Sequence, residues 1–234
     1  SRPQQLAGSS PTPPLGQPGV TSLCVMAFMA HGHLPGDGPF GEHLSNAVGY
    51  IASCQKRNGL ISLTAPNRPE LNRKVNHEVG VSASYNHAVS ALALGECFSN
   101  GRGIDSAQLE KKIAVAIETT LEIQKFNKRR KEDLGGWRYL GITQDSRERY
   151  DSDLSVTGWF LMSLRSAKNA GFDVPQSAID DAVEYVRRCF HQEYGTYQIM
   201  ATRYDRRSRG MAGAGILALA HAGRHNDPQV IKAG

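Results

Sequence analysis

The chain has 234 residues, of which 40% are apolar, and carries 27 basic against 22 acidic side chains. It is long enough to bury one sizeable core, and it lacks the uncharged apolar run of about 18 residues that would predict a transmembrane segment. Four irregularly spaced cysteines exclude a disulfide framework, and an excess of five positive charges is too small to indicate nucleic-acid binding.

Residues 1–19 form the first compositional unit. They contain five prolines and three glycines and show almost no apolar periodicity. Such a composition is typical of a linker or an extended arm. The remainder, residues 20–234, is predicted to form one repeat domain.

The first predicted helix, residues 20–30, is apolar nearly all round. A helix of this kind is buried on most of its sides. The next helix instead has a single apolar face, at Leu44, Ala47, Val48 and Ile51. One apolar face indicates a helix that packs on the outside of the first.

This inner–outer pair recurs along the chain. Inner-type helices are predicted at residues 85–94, 155–167 and 211–222. A one-sided outer helix is predicted to start at a capping box formed by Asp105 and Gln108 and to run to residue 121, and another is predicted at 179–190. Asp227 before Pro228 predicts the start of a further one. The sequence thus predicts an all-α protein of about three and a half inner–outer pairs.

The recurrence has one period in two independent alignments. Superposing the inner-helix residues Thr21, His87 and Thr157 gives steps of 66 and 70 residues. Superposing an alanine of each outer helix gives steps of 69 and 66 residues. We therefore divide the domain into repeats at about residues 20–84, 85–152, 153–210 and 211–234.

A glycine turn before a bulky residue closes each repeat. The first turn runs from Gln55 through Gly59 to Ile61, the second has Gly135 and Gly136 before Trp137, and the third has Gly195 before Tyr197. The loops that lead from each outer helix back to the next inner helix, called returns below, are long. Together they carry more than the whole net positive charge of the chain. This basic end could attract an anion at the inner-helix N-termini, or its charges could serve solubility alone.

Three motifs carry a resemblance to a known family. They are the Gln-x-x-x-Gly turn at residues 55–61, the Gly-Gly-Trp-Arg-Tyr turn at 135–139 and the Thr-Gly-Trp helix at 157–164. They resemble the prenyltransferase and squalene-oxidase repeat of the terpenoid cyclase superfamily, and most nearly its bacterial repeat proteins without a settled activity. The resemblance implies an α/α toroid, and three and a half pairs imply an open arc of one.

The resemblance also allows a position-by-position test for catalysis. Squalene-hopene-type cyclases protonate an alkene with an aspartic acid at the start of an inner helix. Placing their motif on Thr157 puts Ser155 at the position of the proton donor, so only Asp153, or Asp151 beside it, could replace the acid, with His87 as a polar partner. We expect these aspartates to cap the helix instead. No zinc-site motif of the protein prenyltransferases is matched, and no metal or cofactor is predicted.

The sequence therefore favours a binding module over an enzyme. We expect a groove for an apolar, isoprenoid-like chain or a peptide. Its predicted lining is Tyr85, His87, Trp137, Tyr139, Asp153, Trp159 and Tyr197. The alternatives are an active prenyl- or terpenoid-transforming enzyme and a protein-interaction scaffold. An open arc would also expose apolar edges, so we expect a protein partner or self-association.

Overall fold

The computed structural model describes residues 17–66, 73–100, 106–140 and 150–234. Within these ranges the chain forms eight α-helices, one short 3-10 helix and one small sheet. The helices are α1 (Gln17–Ala30), α2 (Gly41–Ser53), α3 (Arg73–Asn100), α4 (Ser106–Gln124), α5 (Leu154–Asn169), α6 (Gln176–Arg188), α7 (Arg209–His221) and α8 (Pro228–Ala233). The predicted all-α class is confirmed at this level.

The helices form two layers. Helices α1, α3, α5 and α7, the inner layer, pack against one another in succession. Each remaining helix, in the outer layer, packs on the inner helix that precedes it, and α2, α4 and α6 also contact the one that follows. Helix α5 lies within the inner layer and is the most buried, with Phe160, Leu161 and Leu164 in the core.

Two inner helices begin at least three residues earlier than the sequence predicts. Helix α1 begins at Gln17, three residues before the predicted start, because Pro18 and Gly19 are buried at its first turn. Helix α3 begins at Arg73, so the helix predicted at residues 85–94 is the central part of a much longer one. The first return is correspondingly shorter than predicted. The arm at residues 1–16 lies outside the described residues.

A three-stranded antiparallel sheet occupies most of the third return, where a loop was predicted. Its strands are β1 (Phe190–His191), β2 (Thr196–Met200) and β3 (Arg203–Arg207), in the order β1–β2–β3. The predicted outer helix ends at Arg188, and Phe190 starts the sheet instead. The φ of +58° at Gly195, in the turn between β1 and β2, explains the turn glycine in this repeat.

The glycine turns of the first two repeats are joined to the layers by equivalent hydrogen bonds. Gln55 Nε2 donates to the carbonyl of Gly59 at 3.3 Å and to that of Lys112 on α4 at 2.7 Å. Gln124 Nε2 donates to the carbonyls of Gly135 and of Ala178 on α6, both at 2.9 Å. Each glutamine thus links its own turn to the next outer helix.

The turns also contact the inner layer in an equivalent way. The N–H of Ile61 donates to His87 Nδ1 on α3 at 3.1 Å, and the N–H of Trp137 donates to Thr157 Oγ1 on α5 at 2.9 Å. In the third repeat the Tyr197 ring packs directly on Gly215 of α7. These contacts place His87, Thr157 and Gly215 at equivalent positions of three inner helices.

Candidate functional site

A groove of about 330 Å³ opens on the inner layer between α1, α3 and α5. Most of the side chains around it are apolar, and it has the size of a small ligand pocket. Its lining residues are Gly19, Val20, Leu23, Val81, Ser82, Tyr85, Asn86, Val89 and Trp159.

Helical spacing explains why these side chains meet. Val81, Tyr85 and Val89 follow one another at intervals of four residues, so they form one stripe on α3. Val20 and Leu23 are three residues apart on α1 and leave 58% and 45% of their surfaces exposed. Large apolar side chains exposed side by side on a helix are typical of a surface that receives a ligand or a partner.

The few polar groups of the groove are already engaged within the chain. Ser82 Oγ donates to the carbonyl of Glu78 at 2.9 Å, and Asn86 Oδ1 accepts from the N–H of Gly19 at 3.0 Å. Tyr85 Oη lies 2.8 Å from Ser155 Oγ. Burial raises the pKa of Tyr85 to about 12, so the phenol stays protonated at neutral pH.

Tyr85 connects the groove to a buried carboxylate, that of Asp153. Ser155 Oγ donates to Asp153 Oδ1, which leaves Tyr85 as the donor to Ser155. Asp153 Oδ1 also accepts from the backbone N–H groups of Ser155 at 2.8 Å and Val156 at 3.3 Å. The side chain therefore caps the N-terminus of α5, as expected for Asp before an apolar helix.

The second oxygen of Asp153 pairs with Arg138. Arg138 Nη1 contacts Asp153 Oδ2, and Arg138 Nε contacts Asp151 Oδ1 at 3.1 Å. The same guanidinium lies 4.3 Å from the centre of the Tyr139 ring, which packs behind Tyr85. Both oxygens of Asp153 thus act as acceptors, an arrangement suited to holding a helix and not to transferring a proton.

His87 lies in the core and not in the groove. Its Nδ1 accepts from Ile61, so its Nε2 carries the proton and donates to Thr120 Oγ1 at 3.1 Å. Complete burial lowers the pKa of His87 to about 4. The position predicted as a polar catalytic partner thus fastens the first glycine turn to α3 and α4.

Two aromatic residues predicted to line the groove are instead fully buried. Trp137 stacks on Phe160, with ring centres 5.2 Å apart, and donates from Nε1 to the carbonyl of Thr120 at 2.9 Å. Tyr197 packs against Phe190 and Gly215. The turn glycines direct both rings into the space between the two layers, so of the predicted aromatics only Tyr85 and Trp159 line the groove.

Several charges of the predicted basic end are used within the chain. Lys128 Nζ donates to the carbonyl of Gly136 at 2.6 Å, and burial lowers the pKa of this lysine to about 8. Arg138 is balanced by two aspartates, and Lys56 Nζ donates to the carbonyl of Leu63 at 2.8 Å. Residues 67–72 and 141–149 of this predicted end lie outside the described residues.

A membrane-spanning helix and a cluster of metal ligands are both absent among the described residues. No helix among them is long and apolar enough to cross a membrane. No three His, Cys, Asp or Glu side chains among them come together as ligands of a metal ion. Comparison of the chain with protein-family models, with curated proteins and with solved structures found no match.

Sequence reasoning missed the apolar lining contributed by α1 and by the first part of α3. The spacing of Val81, Tyr85 and Val89 could have indicated it, because all three lie on one side of a helix. The helix predicted at residues 85–94 does not include Val81, so the stripe was incomplete in the prediction. Arg138 was missed as the partner of Asp153, since nothing in the sequence brings the two together.

Proposed function

We propose that this chain is an open arc of an α/α toroid that binds an apolar, isoprenoid-like chain in the groove between α1, α3 and α5. The observation that carries the proposal is the lining of that groove, in which Val20, Leu23, Val81, Val89 and Trp159 surround a small space. Removing an apolar ligand from water against these side chains is the main source of affinity.

The repeated contacts support the toroid. Inner helices pack in succession, outer helices cover them, and the same glutamine and glycine-turn contacts recur in two repeats. A further repeat added in the same way would continue both layers, which is how α/α toroids are built.

The polar groups of the groove favour an apolar chain over a peptide. A bound peptide would bring backbone N–H and C=O groups into the groove, each needing a partner once it leaves water. Ser82, Tyr85 and Asn86 already have partners in the chain. An isoprenoid chain has no such requirement along its length.

The surroundings of Asp153 favour binding over conversion of the ligand. A catalytic acid needs a proton to give and a path to the ligand. Asp153 is wholly buried, accepts on both oxygens and is separated from the groove by Ser155 and Tyr85.

The test is titration of the chain with geranylgeraniol, an uncharged isoprenoid alcohol, monitored by tryptophan fluorescence. Trp159 lines the groove while Trp137 is buried against Phe160, so a saturable change reports on the groove. Leu23→Glu places a charge in the lining and should weaken binding about tenfold or more, about 1.4 kcal/mol. Leu134→Glu, at an exposed leucine away from the groove, is the matched control.

The possible results separate the alternatives. Saturable binding that is lost in Leu23→Glu and kept in Leu134→Glu supports the proposal. Absence of binding, or equal affinity in both variants, contradicts it. Mass spectrometry of the recovered alcohol should find it unaltered, whereas a converted product would establish an enzyme instead.

A further inference from the structure

The two ends of the inner layer present largely apolar faces to solvent. On α1 this end face contains Val20, Cys24, Ala27 and Phe28, all exposed, and α1 has no charged residue in its whole length. On α7 the end face contains Gly213, Ile216, Leu217 and Ala220, with Leu217 exposed over 46% of its surface. Apolar helix faces of this extent are typical of surfaces that pack against another helix.

The end face of α1 corresponds to a packing face of α3. With Thr21 aligned to His87, Cys24 corresponds to Ser90. Ser90 is buried against the preceding inner helix, where its Oγ lies 3.0 Å from the Oγ of Ser22. The α1 face that contains Cys24 is therefore equivalent to the α3 face that packs on the preceding inner helix.

The end face of α7 corresponds to the opposite packing face. Aligning Thr157 with Gly215 makes Ile216 the equivalent of Gly158, which in turn corresponds to Ser22. A Cβ built at Gly158 lies 3.9 Å from the Cβ of Ala218, the α7 equivalent of Ser90. The contact between Ser22 and Ser90 is thus repeated between Gly158 and Ala218. Ser22 and Gly158 each face the inner helix that follows their own. Ile216, their equivalent in α7, therefore lies on the face against which a following helix would pack.

We propose that a second copy of this chain packs its α7 against α1, with Ile216 of that copy opposite Cys24, and so continues the inner layer. The contact joins two different faces, so it is head-to-tail and leads to a closed ring or a longer assembly. It does not depend on what the groove binds.

The chemistry of the two faces favours a second copy over another class of partner. The α1 face carries no charge, and the α7 face carries only Arg209, at the first residue of the helix, so neither offers a cluster of charges with which an acidic or basic partner could pair. Both consist of apolar and small residues, which allow two helices to approach closely. The matching faces occur in one chain, and the packing they would reproduce already exists twice within it, from α1 to α3 and from α5 to α7.

Disulfide trapping tests the predicted register. Ile216→Cys under mild oxidation should give covalent dimers and longer multimers, each joined through Cys24 of a second copy, because the other three cysteines are buried. The double variant Cys24→Ser, Ile216→Cys should give none. Failure of Ile216→Cys to cross-link, with wild type monomeric at its highest soluble concentration in light scattering, would overturn the proposal.

Complementation tests the head-to-tail direction. Ala27→Glu and Leu217→Glu each place a charge in one end face and should each give a monomer. Mixed together, they should form a dimer, since the intact α7 of the first variant meets the intact α1 of the second. Leu134→Glu should assemble like wild type. An assembly that survives Leu217→Glu but not Ala27→Glu would show that α1 pairs with α1, contrary to the proposal.

Discussion

Gln55 and Gln124, 69 residues apart, make the same pair of hydrogen bonds in successive repeats. Each amide donates to the carbonyl of a turn glycine whose φ is close to +80°, and to a carbonyl on the next outer helix. One side chain thus holds a left-handed turn and joins two repeats. Among uncharged side chains the two bonds require an amide, because its N–H₂ group can donate twice.

Gln124→Glu should therefore destabilise the fold although it hardly changes the shape of the side chain. The carboxylate cannot donate, and it would face the carbonyl oxygens of Gly135 and Ala178 without a proton between them. We expect a loss of about 2–4 kcal/mol in the free energy of unfolding, measured by urea denaturation. Gln55→Glu should lose less because Gln55 is only partly buried. Equal stability of Gln124→Glu and wild type would contradict the role of this amide.

His87 predicts a dependence of stability on pH. The pKa of His87 is about 4 in the folded chain against an ordinary 6.5, because burial disfavours the charged ring. Between these values the unfolded chain binds the proton and the folded chain does not. The neutral His87 therefore contributes fully to the free energy of unfolding above pH about 6.5. This contribution of about 3 kcal/mol is lost on acidification towards pH about 4.

Urea denaturation from neutral to mildly acidic pH measures this contribution, with His87→Gln as the reference that lacks the titrating ring. Ring signals of His87 in NMR spectra should also remain those of the neutral imidazole at mildly acidic pH. A protonated His87 in the folded chain under those conditions would contradict the assignment of Nδ1 as an acceptor from Ile61.

Asp153 predicts a graded response that separates capping from catalysis. Asp153→Ala removes the cap of α5 and the partner of Arg138, so we expect a loss of about 2–4 kcal/mol in thermal or urea unfolding. Asp153→Asn keeps an acceptor for the helix N-terminus and should lose about half as much. Asp173→Ala, in an exposed loop, is the control. Normal stability in Asp153→Asn with loss of a ligand conversion would instead identify a catalytic acid.

Substituting alanine for either of two glycines of α7 should change the stability of the fold in opposite directions. A Cβ at Gly215 would lie 2.6 Å from Cδ1 of Tyr197, so Gly215→Ala should lose about 1–3 kcal/mol through overpacking. A Cβ at Gly213 meets nothing within 4 Å, so Gly213→Ala should gain up to about 1 kcal/mol from helix propensity. Thermal unfolding of both variants measures the difference. A stabilised Gly215→Ala would show that Tyr197 does not pack on α7 as described.

Apolar periodicity predicted most of the helices because it reports directly on burial. The helix predicted at residues 155–167 is found at Leu154–Asn169, and the one predicted at 211–222 at Arg209–His221. The start of α3 has only the valines at 75, 79 and 81 among polar residues, which is a weaker apolar signal, so its first turns were missed. The sheet was missed because its strands are short and paired to one another, although alternation through Thr196–Met200 and the glycine before it are typical of a hairpin.

The candidate site was predicted less completely than the fold. A turn glycine before Trp137 or Tyr197 indicates that the ring is held in place, but not whether it faces the groove or the core. The capping role of Asp153 could be predicted, since it depends only on the residues that follow it. Its pairing with Arg138 could not, because that contact depends on how a long return folds back over α5.

The contacts between neighbouring units also determine how the chain opens. The glutamine links, the turn contacts and the pair between Arg187 and Asp227 each join one unit only to the next. Helix α8 has no buried residue, whereas α5 is buried along most of its length. Amide protons should therefore exchange with deuterium first at α8 and last in α5, with protection rising stepwise from the end to the centre, as in other chains built from nearest-neighbour contacts.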